Sequence, residues 1–105
     1  MFSLKIINGI IVDGLGGKGY KADLGISGDK VVSIGDLADQ EAECVIDAAG
    51  KVVAPGFIDM HTHSDVSVVY DRKVSSKIYD GVTTEVIGNC GIGVAPVKED
   101  KKEQL

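Results

Sequence analysis

A chain of 105 residues and 11.0 kDa is one small domain or part of a larger one, and is too short to be a complete large enzyme. Its net charge of −5, from 11 Lys plus Arg against 16 Asp plus Glu, contains no basic block, which disfavours a nucleic acid or an anionic membrane surface as partner. Fourteen glycines beside only Pro55 and Pro96 describe a turn-rich chain, and 14 Val and 11 Ile against 5 Leu favour strands over helices.

The N-terminal stretch carries Lys5 among its apolar residues and is broken at Asn8-Gly9 before a signal-peptide core forms. No run approaches the roughly 18 apolar residues of a membrane span. Cys44 and Cys90 form no C-x-x-C pair, and two cysteines do not make a disulfide framework. A soluble, cytoplasmic protein is expected.

Residues 4–7 and 10–12 flank Asn8-Gly9, the pair best suited to the two positive φ angles of a type I′ turn, so a hairpin is predicted there. Residues 14–19 then satisfy G-x-G-x-x-G. The downstream sequence alternates and carries Gly25 and Gly28, so it offers no helix N-terminus to hold a pyrophosphate. A glycine-rich connection between strands is the better reading. Strands over 22–27 and 30–34 meet at Gly28-Asp29, and strands over 43–47 and 51–54 meet around Ala49-Gly50. Residues 1–54 thus read as a meander of β-hairpins, with a domain boundary before Pro55.

Past Pro55-Gly56, residues 57–61 are an apolar, strand-like run, and 71–79 place Val74 and Ile78 on one helical face. Residues 83–87 are strand-like again. This is a βαβ unit of the α/β class, with parallel strands buried on both faces. The charged tail at 98–105 suits the exposed start of another helix or a frayed end.

Two segments carry chemistry. In 55–65, PGFIDMHTHSD, a strand continuing through His61 puts His61 and His63 on one side with Thr62 opposite, where two imidazoles can share a metal ion. They follow an apolar strand, and α/β folds collect functional groups at strand carboxyl ends. The competing reading is two solvent-exposed loop histidines. In 81–93, GVTTEVIGNCGIG, Cys90 stands at the equivalent end of the second strand, bracketed by Gly88 and Gly91. Neighbouring strands lie about 4.8 Å apart, so Cys90 and the histidines can converge. Cys44 reads as a small buried hydrophobe.

With the preceding DAAGKVVAPG, these two segments resemble the N-terminal part of the amidohydrolase superfamily, and more narrowly the N-acyl-D-amino-acid deacylases, or D-aminoacylases. The first segment is shared across the superfamily, including dihydroorotases and hydantoinases; GVTTEVIGNCGI is the more specific one. The resemblance implies a metal-dependent (β/α)₈ hydrolase barrel beside a small β-sandwich. Residues 1–54 are then part of the sandwich and 55–105 the truncated start of the barrel with its first βαβ unit. It also implies that His61, His63 and Cys90 are ligands of one or two Zn²⁺ ions, and that the general base lies beyond Leu105. The implied substrate is an N-acylated D-amino acid. Asp59 and Asp65 are both candidates to orient the histidines. A cyclic-amide hydrolase of the dihydroorotase or hydantoinase kind is the related alternative, and a non-catalytic β-rich binding or assembly module is the unrelated one. The 105 residues alone are expected to be inactive, to bind metal weakly, and to self-associate through the strand edge beside 83–87 and uncovered apolar faces.

Overall fold

The computed structural model describes residues 1–73, 75–91 and 98–104, and the chain divides into two units, Met1–Pro55 and Gly56–Leu105. In the first unit the strands are β1 (Phe2–Ile7), β2 (Ile10–Ile11), β3 (Tyr20–Lys21), β4 (Asp23–Ser27), β5 (Lys30–Gly35), β6 (Ala42–Asp47) and β7 (Val52–Val53). They form one four-stranded sheet in the order β5-β4-β1-β6 and one three-stranded sheet in the order β3-β2-β7.

The expected Asn8-Gly9 hairpin does not form. Both edges of β1 are taken, by antiparallel β4 with Leu4 opposite Ile26 and by parallel β6 with Leu4 beside Cys44, so nothing is left for β2 to bond. Asn8 alone takes a positive φ of 63°, whereas a type I′ turn needs both central residues there. The segment instead crosses from one sheet to the other. The pair proposed across Ala49-Gly50 fails for the same reason, since β6 runs parallel to β1 and β7 parallel to β2. Two stretches of chain therefore travel side by side and change sheet together. Ala48 N–H donates to Ile7 O at 2.9 Å and Ile10 N–H to Lys51 O at 3.0 Å, carrying the ladder through the crossing. Gly9 is needed at this point because a Cβ there would lie 2.6 Å from Val53 Cγ2.

The hairpin expected over 22–27 and 30–34 is present: β4 and β5 are antiparallel, Ser27 pairs with Lys30, and Gly28 holds φ 63° between them. The G-x-G-x-x-G segment joins β2 to antiparallel β3, with Gly14 and Gly16 at positive φ, as a glycine-rich connection should. Ile6, Leu24, Ile26 and Ile34 of the larger sheet and Ile11 and Val53 of the smaller one line a shared apolar cavity of about 440 Å³. Phe2, Ile11, Leu37 and Ala48 are buried. On the opposite side of β1 from Ile6, the buried Lys5 donates from Nζ to Leu37 O at 3.1 Å and Gln40 O at 2.7 Å. Those two carbonyls satisfy an ammonium that would otherwise be costly to bury.

The second unit contains β8 (Phe57–Asp59), α1 (Ser64–Tyr70), α2 (Ser75–Tyr79), β9 (Val82–Glu85) and a 3₁₀ helix over Glu99–Gln104. Strands β8 and β9 are parallel, with Ile58 beside Thr84 and Asp59 beside Glu85, so the strand–crossover–strand unit is present. Its details differ from the sequence reading. Strand β8 stops at Asp59, two residues short of His61. The strands are not buried on both faces as expected, since among the described residues only one crossover covers them and Phe57 and Ile58 are exposed. The crossover holds two helices, and α1 is one that the run Val66, Val68 and Val69 argues against, because β-branched residues lose χ1 freedom in a helix. Asp65 in the first turn of α1 favours it electrostatically. Val74, expected on the helical face with Ile78, lies outside the described residues. Gly56 abuts β9 so closely that a Cβ there would overlap the Thr83 side chain. No helix among the described residues is long and apolar enough to cross a membrane.

Candidate metal centre

Two connections leave the carboxyl ends of the parallel strands, one carrying His61 and His63 and the other Cys90. Backbone bonds tie the connections together: Val86 N–H donates to Asp59 O at 2.8 Å, and Thr62 N–H to Val86 O at 3.3 Å. The Asn89 side-chain amide donates to the Met60 carbonyl, joining the residue before Cys90 to the residue before His61. Thr62 points away from the histidines into the unit, where its hydroxyl shares a hydrogen bond with Ser64 Oγ at 2.9 Å.

The two imidazoles and the thiol come together. One ligand atom from each of His61, His63 and Cys90 lies within 4.8 Å of the others, all three residues being exposed. His61 Nε2 and Cys90 Sγ are 2.7 Å apart, a hydrogen bond in which the thiol donates when Nε2 is unprotonated. The His61 and His63 rings meet edge-on, with centroids 5.9 Å apart. The mutual placement on one side that strand alternation predicted is thus reached by a bend, with His63 at the N-cap position of α1. Nitrogen and sulfur donors of this kind suit Zn²⁺, which takes His at about 2.0–2.1 Å and Cys at about 2.3 Å in tetrahedral arrangements. Three donors gathered this closely fit one ion.

The surrounding carboxylates divide. Asp59 Oδ1 accepts the backbone N–H of His61 at 3.1 Å, while Oδ2 accepts Lys77 Nζ from α2 at 2.5 Å. The Lys77 ammonium, and after it the His61 N–H, hold the Asp59 carboxyl below its ordinary value, and the carboxylate raises Lys77 in return. Asp65 is only 8% exposed, and both its oxygens are buried without a hydrogen-bond partner among the described residues. It lines a shallow cavity of about 210 Å³ with Ser64, Val68, Glu85 and Ile87. Of the two aspartates weighed from sequence, Asp59 is the one bonded to the histidine segment, through its backbone and not its ring. Lys77 and Asn89 are participants the sequence reading missed. Asn89 adjoins Cys90 in the GNC triplet, but nothing marks Lys77 among the lysines of the chain.

Two parallel strands joined by a helical crossover, with a thiol and two imidazoles gathered past their carboxyl ends, define an α/β protein with a candidate metal centre. Residues 44–104, more than half the chain, match the profile of the Amidohydrolase family. The chain belongs to that family. It is similar to a D-aminoacylase of Alcaligenes xylosoxydans xylosoxydans, with 49% identity over 96 residues, covering 91% of this chain and 20% of the relative. A solved D-aminoacylase, studied for the role of its binuclear metal centre, superposes with a TM-score of 0.87 at 46% identity, over 92% of this chain and 20% of its own. N-acyl-D-glutamate deacylase from Bordetella bronchiseptica, solved with zinc and a phosphonate mimic of the tetrahedral intermediate, superposes with a TM-score of 0.86 at 43% identity, over 91% and 20% of the respective chains. This chain thus spans about a fifth of the length of the relatives it matches. Its mixed α/β fold, mostly strands, is that of the N-terminal part of D-aminoacylase structures.

Proposed function

We propose that these residues form the N-terminal part of a zinc-dependent amidohydrolase that cleaves the amide bond of N-acyl-D-amino acids. The convergence of His61, His63 and Cys90 in a chain of this family carries the reading. In it, residues 1–54 belong to a small β-sandwich and 55–105 open a (β/α)₈ barrel. His61, His63 and Cys90 hold one Zn²⁺ or share two. Zinc, when bound, lowers the pKa of its water toward about 7 and polarises the scissile carbonyl. The chain's own contribution is to present two imidazoles and a thiol from adjacent strand ends, with the Asp59 carboxylate fixing the backbone of His61. The carboxylate that takes the water proton is expected outside residues 1–105. A barrel needs eight strands, and β8 and β9 are two, so the 105 residues alone should not turn over substrate.

Cys44, expected from the sequence to be a small buried hydrophobe, is exposed on β6 instead, and its free thiol and that of Cys90 accord with a reducing, cytoplasmic setting. Phe57 and Ile58 on β8 are 64% and 60% exposed, so self-association of the isolated 105 residues is expected by light scattering. Hydrolysis by the whole protein should be assayed on an N-acetyl-D-amino acid, its L enantiomer and a hydantoin, before and after metal removal. Cleavage of the D substrate, lost with the metal and restored by Zn²⁺, supports the reading. Turnover of the hydantoin alone would transfer the site to the cyclic-amide class.

A further inference from the structure

We propose that Lys77 is a positioning residue for the metal centre, acting through the Asp59 carboxylate to hold the backbone of His61. The proposal rests on the reading of His61, His63 and Cys90 as ligands. Each oxygen of Asp59 has one task, Oδ1 on the His61 N–H at 3.1 Å and Oδ2 on Lys77 Nζ at 2.5 Å, so a single carboxylate joins α2 to the segment that carries the histidines. His61 lies past the end of β8, beyond the last residue of the strand ladder. Where its Cα sits decides whether Nε2 reaches Cys90 Sγ, which it does at 2.7 Å.

Asp59 has reason to leave this position if Lys77 is removed. It stands beside Glu85 in the parallel register, and like charges at paired positions repel. Lys77, Lys73 and Glu85 line one cavity of about 360 Å³ at this edge, and of the two lysines it is Lys77 that bonds Asp59, its pKa raised by Asp59 and, more weakly, by Glu85. The side chains of Lys77 and Asp59 are 34% and 23% exposed, which shields the pair from the full screening of a surface ion pair. Without the cation, Asp59 gains by turning to water, and turning releases the His61 N–H.

The test uses the whole protein and Cd²⁺, whose thiolate charge-transfer absorbance, where it is lost in Cys90→Ser, reports ligation by Cys90. Lys77→Met is expected to weaken Cd²⁺ binding about 10- to 100-fold, as loss of an outer partner of a metal ligand does. Lys77→Arg, which keeps the cation, should restore most of it. Asp59→Asn keeps the shape but offers Lys77 no carboxylate, and should behave as Lys77→Met does. Residue-resolved amide exchange without metal supplies the second reading. In Lys77→Met the His61 amide should exchange faster, while the Val86 amide, bonded to the Asp59 backbone carbonyl, stays protected. Equal Cd²⁺ affinity in wild type and Lys77→Met, or unchanged His61 exchange, overturns the proposal. A wild type that binds no Cd²⁺, yet shows the exchange change, instead overturns the ligand reading and leaves Lys77 fixing His61. Joint loss of protection at His61 and Val86 would make Lys77 a general structural residue and also overturn the proposal.

Discussion

Among the described residues, the buried apolar residues Phe2, Ile11, Leu37 and Ala48 all belong to Met1–Pro55, whereas the buried polar residues, Lys5 apart, are Thr62, Ser64 and Asp65 of Gly56–Leu105. In the first unit, a central strand bonded on both edges joins segments about forty residues apart, and side chains of two sheets line one apolar cavity. In the second, two short parallel strands leave Phe57 and Ile58 uncovered, while polar bonds fasten the segments around His61 and Cys90. One unit illustrates order maintained by ladders and apolar contact. The other illustrates functional groups held at strand ends by hydrogen bonds and an ion pair. Substitutions in the first should therefore change stability, and substitutions in the second should change ligand affinity.

The largest expected effect is at the centre itself. Cys90→Ser or His61→Ala removes a donor and should lower Zn²⁺ affinity by more than about 100-fold, beyond the range for outer partners. Competition against a chromophoric chelator measures it, and thermal unfolding of the first unit should not change. Gly25→Val should destabilise the first unit by about 1–3 kcal/mol, because a Cβ at residue 25 falls 2.6 Å from the Phe2 ring. Urea unfolding measures that loss, and unchanged Zn²⁺ affinity in the same variant would sharpen the division between the units. A parallel loss of affinity would break it.

Lys5→Met should cost about 1–3 kcal/mol by leaving the Leu37 and Gln40 carbonyls without their buried donor. Chemical denaturation measures it. The smallest effect is that of Asp47, whose carboxyl is held below its ordinary 3.8 by the Asn8 side-chain amide and then by the Ala49 N–H. A lowered folded pKa means its contribution is complete above the ordinary carboxylate range and is lost as pH falls through the lowered value. Acid titration of the first unit should show a shallow loss of stability below pH 3.8, flattened in Asp47→Asn.

Local chemistry was readable from the chain by itself. Gly28-Asp29 marks a two-residue turn because glycine reaches positive φ without strain, and the glycines at 14–19 mark a connection because nothing downstream has helical periodicity. The strand-like runs around 58 and 84, and the placing of His61, His63 and Cys90 just past them, follow from apolar runs that end in polar and glycine residues. Partner choice was not readable. Asn8-Gly9 has the composition of a hairpin turn, yet the strands before and after it prefer neighbours from residues 20–27 and 42–53, and no local signal ranks those against each other. Helix α1 contradicts its own valines because the crossover geometry, not propensity, sets that segment. Lys77 acquires its role only when the chain returns along α2 and brings its ammonium to Asp59, eighteen residues away in sequence. Hydrogen bonds and ion pairs act over about 3 Å in space whatever the separation along the chain. Composition and short-range pattern therefore settled which residues carry chemistry, and tertiary pairing alone decided which of them meet and what holds them there.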